Sequence, residues 1–393
     1  MAGSYIVAGA RTPIGKMSGA LASFSAADLG GFAIKAALER AGVAPDEVEH
    51  VIMGQVLMAG QGQVPSRQAA SKAGIPMNVP SVNINKVCLS GLNSIYLANQ
   101  MIMAGEADIV VAGGMESMTN APYLAAGARG GFRYGNTELA DAIIKDGLWC
   151  AFDACLMGLG TERYAGGGIT REQQDDLAMK SNVRAAAAIE AGRFADEIVP
   201  VAIPQRKGDP VMVTTDEGVR ANTTMESLGG LKPAFDKDGT ITAANASQIS
   251  DGGSAVVLMS EKAVAARGVS PLGQFVSYGM VAGPDSASLL QQPSRAIMAA
   301  LGRAGLGVGD VDLFEINEAF AAVGIASMAD LGISDEIVNV NGGAIALGHP
   351  IGMSGNRLAL TLLHELRRRG GGTGAAALCG GGGQGDALVV RTV

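Results

Sequence analysis

ALERAGVAPDEV at residues 37–48 and ALGRAGLGVGDV at residues 300–311 decide the fold of this 393-residue chain. Arg40 aligns with Arg303 and Val48 with Val311 without a gap. Each copy reads as a helix C-terminus, a Gly stop after the last turn and a short acidic linker. A strand-like run follows in both, Val51-Ile52-Met53 and Leu313-Phe314-Glu315-Ile316. Downstream, Val82-Asn83-Ile84-Asn85 pairs with Val338-Asn339-Val340-Asn341, and Ser90-Gly91 pairs with Ser354-Gly355 at the start of a helix-like segment. The second copy has a longer loop before its Ser-Gly pair, and His349 lies in that loop. Both helices lead to an apolar strand and more Gly, Ile109-Val110-Val111-Ala112-Gly113-Gly114 and Ala375-Ala376-Ala377-Leu378-Cys379-Gly380.

Matches at separated places in one order imply a duplicated α/β unit, over residues 1–120 and 270–393. Near-continuous apolar strands beside helices predict a mixed sheet covered on both faces. Ile95, Leu97 and Ile102 in one helix, with Leu358, Leu362 and Leu363 in the other, predict burial of both helices between the two units. Residues 121–245 have no partner in either copy and read as an inserted domain, with a helix from Thr170 to Ala191. The run Ala255-Val256-Val257-Leu258-Met259 is expected to return as a strand of the first unit, which therefore takes residues 246–269 as well.

Bulk composition narrows the function classes. Hydrophobic residues make up 48% and charged residues 17%, so much of the chain must be buried within or between subunits. A net charge of −8 and only 4% aromatics argue against nucleic-acid and anionic-membrane partners. An anionic substrate would need a local basic patch. The start MAGS leads straight into Tyr5-Ile6-Val7-Ala8 with no basic-then-apolar leader, and no apolar run is long enough to span a bilayer. A cytosolic location is the expectation, with the four Cys reduced.

Three residues stand out for chemistry. Cys88, in Asn85-Lys86-Val87-Cys88-Leu89-Ser90-Gly91, falls between a strand end and a helix start, where the helix dipole favours thiolate. His349, one of three His, is boxed between Gly348 and Pro350. His50 and His364 read as surface residues. Cys379 ends a strand and precedes Gly380-Gly381-Gly382-Gly383, whose bare N–H groups suit an anionic oxygen. All three, with Asn317, fall at corresponding ends of the two copies. Cys150 and Cys155 lack ligand partners for zinc, so no metal site is expected. No nucleotide-binding Gly pattern is present.

Asn-Lys-Val-Cys-Leu-Ser-Gly at 85–91, Asn-Glu-Ala-Phe at 317–320, Gly-Gly-Ala-Ile-Ala-Leu-Gly-His-Pro-Ile-Gly at 342–352 and Cys-Gly-Gly-Gly-Gly at 379–383 resemble the four signatures of the thiolase family. Ala-Arg-Thr-Pro-Ile-Gly at 10–15 and Gly-Gly-Met-Glu-Ser-Met at 113–118 extend the resemblance over essentially the whole chain. It implies an α/β fold of two duplicated halves in five αβαβα layers, with an inserted loop domain covering a coenzyme A site. It also implies a ping-pong reaction: Cys88 carries the acyl group, His349 activates it, and Cys379 takes the α-proton of acetyl-CoA. His349 and a water held by Asn317 would steady the enolate, while the N–H groups of Cys88 and Gly381 would form a second oxyanion pocket.

With coenzyme A thioesters as substrates and no prosthetic group, the resemblance places Arg220, Ser227, Phe235 and Ser247 at the cofactor moiety and Met157 and Phe320 at the acyl group. Arg220 would supply the missing local positive charge. Leu156 and Val219 depart from the family: the first replaces a His with an apolar contact, and the second removes a Tyr linked to potassium activation. The expected partners are acetyl-CoA, acetoacetyl-CoA and CoA, in a homodimer or homotetramer. A broad-range 3-ketoacyl-CoA thiolase, a silent scaffold subunit and a thiol redox protein are the alternatives.

Overall fold

The computed structural model describes residues 3–165, 168–285 and 288–393. Its strands repeat one plan twice. In the first half, β1 (Ser4–Arg11), β2 (His50–Gly54), β3 (Ser81–Ile84), β4 (Ile109–Ser117) and β5 (Ser250–Ser260) are ordered β1-β5-β4-β2-β3. In the second, β6 (Gly273–Ala282), β7 (Leu313–Ile316), β8 (Thr373–Gly380) and β9 (Gln384–Arg391) are ordered β6-β9-β8-β7. The antiparallel and parallel pairings match copy for copy. Where β2 pairs with β3 through Ile52 and Val82, the second half has only a single parallel bridge, Phe314 to Val338. Asn339 explains the loss of that strand: its φ of 46° turns the chain away one residue after the bridge.

Helices sort onto the sheet faces by strand alternation. Val111, Val257 and Met259 pack outward against α1 (Ala26–Ala41), with Ala33, Ile34 and Leu38 facing them. Their neighbours Val110, Ala112, Val256 and Leu258 point the other way. There they meet α3 (Ser90–Met103) and α7 (Ser354–Arg368), named after α2 (Pro65–Lys72), α4 (Arg171–Glu190), α5 (Gln292–Ala304) and α6 (Ala321–Leu331). Leu92, Ile95, Ile102, Leu358, Leu362 and Leu363 share that core with Ala376, Leu378, Leu388 and Val390 of the other half. Beyond it, Ala375, Ala377, Ala387 and Val389 face Ala296, Ile297 and Leu301 of α5. The layers are therefore helix, sheet, helix, sheet, helix. The two sheets also touch at one edge, where β1 pairs with β6 at Tyr5–Gln274 and Ile6–Gly273.

Residues 121–245 contribute α4, which starts with Thr170 accepting from the Gln173 N–H in a capping box. This segment is packed into the body. Leu177 and Ala178 share a core with Ala321 and Ile345, while Ala185 and Ala188 meet Ile14, Leu347 and Met353. Arg11, fully buried, fixes the return of the segment: Nε donates to Glu197 at 2.6 Å, and Nη1 and Nη2 donate to Asp216 at 2.7 and 2.9 Å.

Gly91 and Gly355, the paired residues of the duplication, set the depth of the central layer. A Cβ on Gly355 would lie 2.4 Å from the Leu92 nitrogen, and one on Gly91 would lie 2.8 Å from the carbonyl oxygens of Gly352 and Met353. The first turns of α3 and α7 thus cross at backbone contact. Gly355→Ala is expected to lower stability by about 3 kcal/mol or more, because backbone rather than a flexible side chain must move. Gly302→Ala, with nothing within 4 Å of the added Cβ, should be stabilising by about 0.5 kcal/mol or more. Urea unfolding midpoints of the two variants check the contrast.

Candidate active site

The crossing of α3 and α7 places the loops before them face to face. Lys86 N–H donates to Ser90 Oγ at 2.8 Å, and Ser90 Oγ donates to the Val87 carbonyl at 2.6 Å. Val87 N–H donates to Asn85 Oδ1 at 3.0 Å. Together these hold Val87 at a φ of 51°, a left-handed conformation that a β-branched residue rarely adopts. The turn delivers Cys88 just ahead of α3. From the other half, Asp386 clamps this loop, taking Lys86 Nζ at 2.7 Å and the Tyr278 hydroxyl at 2.8 Å.

Cys88, His349, Cys379, Gly380 and Gly381 line one small chamber of about 60 Å³, with Val87, Leu148, Met157, Leu289 and Phe320 as its apolar walls. The N–H of Gly381 and that of Cys88 itself both face the Cys88 sulfur. A Cβ on Gly380 would meet Leu89 at 2.7 Å, so the glycine run is what lets the Cys379 turn press against the Cys88 loop.

His349 is buried at the chamber wall. Ser354 Oγ donates to the Pro350 carbonyl at 2.9 Å and so accepts from Nδ1 of His349 at 2.6 Å. That places the ring proton on Nδ1 and leaves Nε2 as the basic nitrogen. Asn317 Nδ2 stands 3.4 Å from Nε2, and Asn317 Oδ1 is buried with no hydrogen-bond partner among the described residues. Serine at 354 is legible in the sequence only as a helix start; its role for the imidazole needs the loop geometry.

Burial controls the ionisation of all three groups. The Cys88 thiol is pushed up to about 12, chiefly by desolvation, with the facing N–H groups pulling down and the Glu116 carboxylate pushing further up. Desolvation thus works against the thiolate expected from the helix start, since Cys88 precedes the first turn and packs against Val56, Leu57, Met118 and Ile351. Cys379 is raised by burial and by its neighbour Cys88. His349 is lowered to about 3 by burial and by Arg357. Each shift favours the neutral form of the group. His50 and His364, expected at the surface, are both half-buried.

A cleft of about 600 Å³ opens outward from the chamber, sharing Leu148, Ser247, Phe320, His349 and Ile351 with it. Arg220, Phe235 and Leu156 line it, as do Lys16 and Met118, which the sequence reading does not single out. Phe235 and Phe320 meet edge to face at 6.0 Å. Ser247 is held by its N–H to the Ala319 carbonyl at 3.0 Å. Ser227 stands outside the cleft lining, its hydroxyl donating to the Thr224 carbonyl at 2.7 Å. Val219 packs beside Ile14 and Leu347 in a core away from the chamber. Among the described residues no cluster of three or more His, Cys, Asp or Glu is placed to hold a metal, and no helix is long and apolar enough to cross a membrane.

Residues 4–262 match the thiolase N-terminal domain and residues 269–392 the thiolase C-terminal domain. The chain belongs to the thiolase family. A probable acetyl-CoA acetyltransferase of Mycolicibacterium smegmatis is 57% identical, with 98% of this chain and all of that protein covered. The acetyl-CoA acetyltransferases of Cupriavidus necator and Escherichia coli are 54% and 52% identical, over 98% and 99% of both partners.

For this thiolase, alkylation of Cys88 by iodoacetamide, followed by peptide mass mapping, should accelerate about tenfold per pH unit from about pH 7 to 10 without levelling. A plateau below about pH 8 would show a resting thiolate and contradict the burial argument.

Proposed function

We propose that the chain is an acetyl-CoA C-acetyltransferase that condenses two acetyl-CoA to acetoacetyl-CoA and CoA, and catalyses the reverse thiolysis. The observation that carries this is the convergence of Cys88, His349, Cys379 and the Gly381 N–H on one apolar-walled chamber that opens into a larger cleft.

Because burial favours the neutral form of all three reacting groups, charge forms as protons pass between them and substrate. Cys88 Sγ attacks the thioester carbon of acetyl-CoA while His349 Nε2 takes the thiol proton. The tetrahedral oxyanion is met by the N–H groups of Cys88 and Gly381. Collapse expels the CoA sulfur, which takes the Cys379 proton. Acetyl-Cys88, imidazolium and the Cys379 thiolate remain, so charge is conserved. The thiolate then removes an α-proton from a second acetyl-CoA, whose enolate oxygen lies toward imidazolium and Asn317. The enolate carbon attacks acetyl-Cys88, and the released sulfur recovers its proton from His349.

The chamber volume favours a short acyl group, since about 60 Å³ accommodates a few heavy atoms rather than a long chain. Arg220 and Lys16 in the cleft lining give an acidic chain a local cationic surface that would suit the CoA phosphates. Phe235 and Ser247 would contact the pantetheine arm, and Met157 and Phe320 the acyl group, with no prosthetic group required. A cytosolic homodimer or homotetramer completes the reading; for the oligomer, the support is the edge position of β3, where Val82 is exposed.

Brief incubation with acetyl-CoA should add one acetyl mass at Cys88, absent in Cys88→Ala and discharged by free CoA. No adduct on folded protein would remove Cys88 as nucleophile. In thiolysis assays, kcat/KM should fall at least about tenfold from acetoacetyl-CoA to eight-carbon ketoacyl-CoA, the scale of a few misfitted methylenes. A flat chain-length profile would favour a broad-range thiolase instead.

A further inference from the structure

The duplication pairs Cys88 with Gly352, two residues before Ser90 and Ser354 respectively. Glu116 is fully buried on β4. Its Oε2 accepts the N–H of Gly352 at 2.9 Å and that of Val56 at 3.0 Å, and its Oε1 accepts the N–H of Leu57 at 3.0 Å. In one copy, then, the anion hole is filled by the protein's own carboxylate. In the other, the counterpart N–H, that of Cys88, faces the Cys88 sulfur together with the N–H of Gly381.

We propose that Glu116 is a positioning residue for the reaction: its carboxylate ties the His349 loop, through Gly352, to the loop that holds Cys88, through Val56. The second link is continuous. The Val56 carbonyl takes Asn85 Nδ2 at 3.4 Å, and Asn85 Oδ1 takes the N–H of strained Val87. Gly352 has no side chain to interpose, and a Cβ there would lie 2.8 Å from Glu116 Oε2. One carboxylate thus sets the spacing between nucleophile and base.

The ionisable groups that face Glu116 are Asp251 on the neighbouring β5 and Cys88 across the 55–57 segment. Among the described residues, none of the ion pairs involves Glu116. Burial pushes its carboxyl up to about 7, against three N–H donors that favour the anion. The charge that steadies the two loops therefore also opposes a Cys88 thiolate.

The proposal rests on the acyltransferase reading, and the experiment separates the two. Wild-type acetylation at Cys88 by acetyl-CoA tests that reading alone. Glu116→Gln keeps shape but has one acceptor oxygen for three N–H groups, and its NH₂ must face a donor. The expected result is folded protein with kcat about 100-fold lower, the scale of an ångström-level misplacement, and KM for acetyl-CoA within about twofold. Cys88 alkylation should shift to lower pH, because a facing negative charge is gone. Glu116→Asp, which keeps the charge and shortens the reach, should lose kcat with the alkylation profile unshifted. Wild-type kcat in Glu116→Gln would overturn the proposal. So would a loss of kcat matched by loss of folded protein, with the Cys88 profile unchanged, since that is a structural role only. If Glu116→Gln does not fold, Glu116→Asp decides by the same kcat criterion.

Discussion

Backbone contact between the first turns of α3 and α7 is the constraint on which the site depends. Gly91 and Gly355 remove the Cβ atoms that would hold these turns apart, and each lies within 3 Å of the other helix's backbone when a Cβ is built on it. The loops before the helices are thereby forced together, and those loops carry Cys88 and His349. Gly54 and Gly114 continue the same close approach, their added Cβ atoms falling 2.8 and 2.1 Å from the Gly352 oxygen. A chain rich in glycine spends much of it on this one crossing.

The second consequence of that closeness is an apolar lining. Around Cys88 the walls are Val56, Leu57, Met118 and Ile351, and around Cys379 they are Leu289, Leu290, Ala322 and Val323. Burial raises both thiols and lowers the imidazole. A site of this kind does not store a reactive anion. It supplies oriented donors for the moment when charge forms, at a place where low dielectric makes each donor count. Gly352, the counterpart of Cys88 in the duplication, shows the alternative, its N–H taken by the Glu116 carboxylate.

Much of this was legible in residues. The paired runs at 37–48 and 300–311 anticipated strands that pair copy for copy, and the apolar run Ala255–Met259 announced its own return to the first sheet. Burial of Ile95, Leu358 and Leu362 followed from their pattern. The Asn339 turn did not, because sequence similarity to Asn83 carries no φ. Nor did the Arg11 network, since Glu197 and Asp216 are remote in the chain and ordinary in kind.

Sequence by itself determined the duplication, the family and which residues were candidates for the chemistry, because these depend on residue type and order. Tertiary structure alone decided the state of those groups. The helix-start position of Cys88 argues for thiolate, yet desolvation is a property of everything packed around the sulfur, from both halves and the segment between them. The tautomer of His349 likewise depends on where the Ser354 hydroxyl points, and the task of Glu116 on which N–H groups converge on it. Ionisation and hydrogen bonding are set by neighbours in space, and a linear order names those neighbours only after the chain has folded.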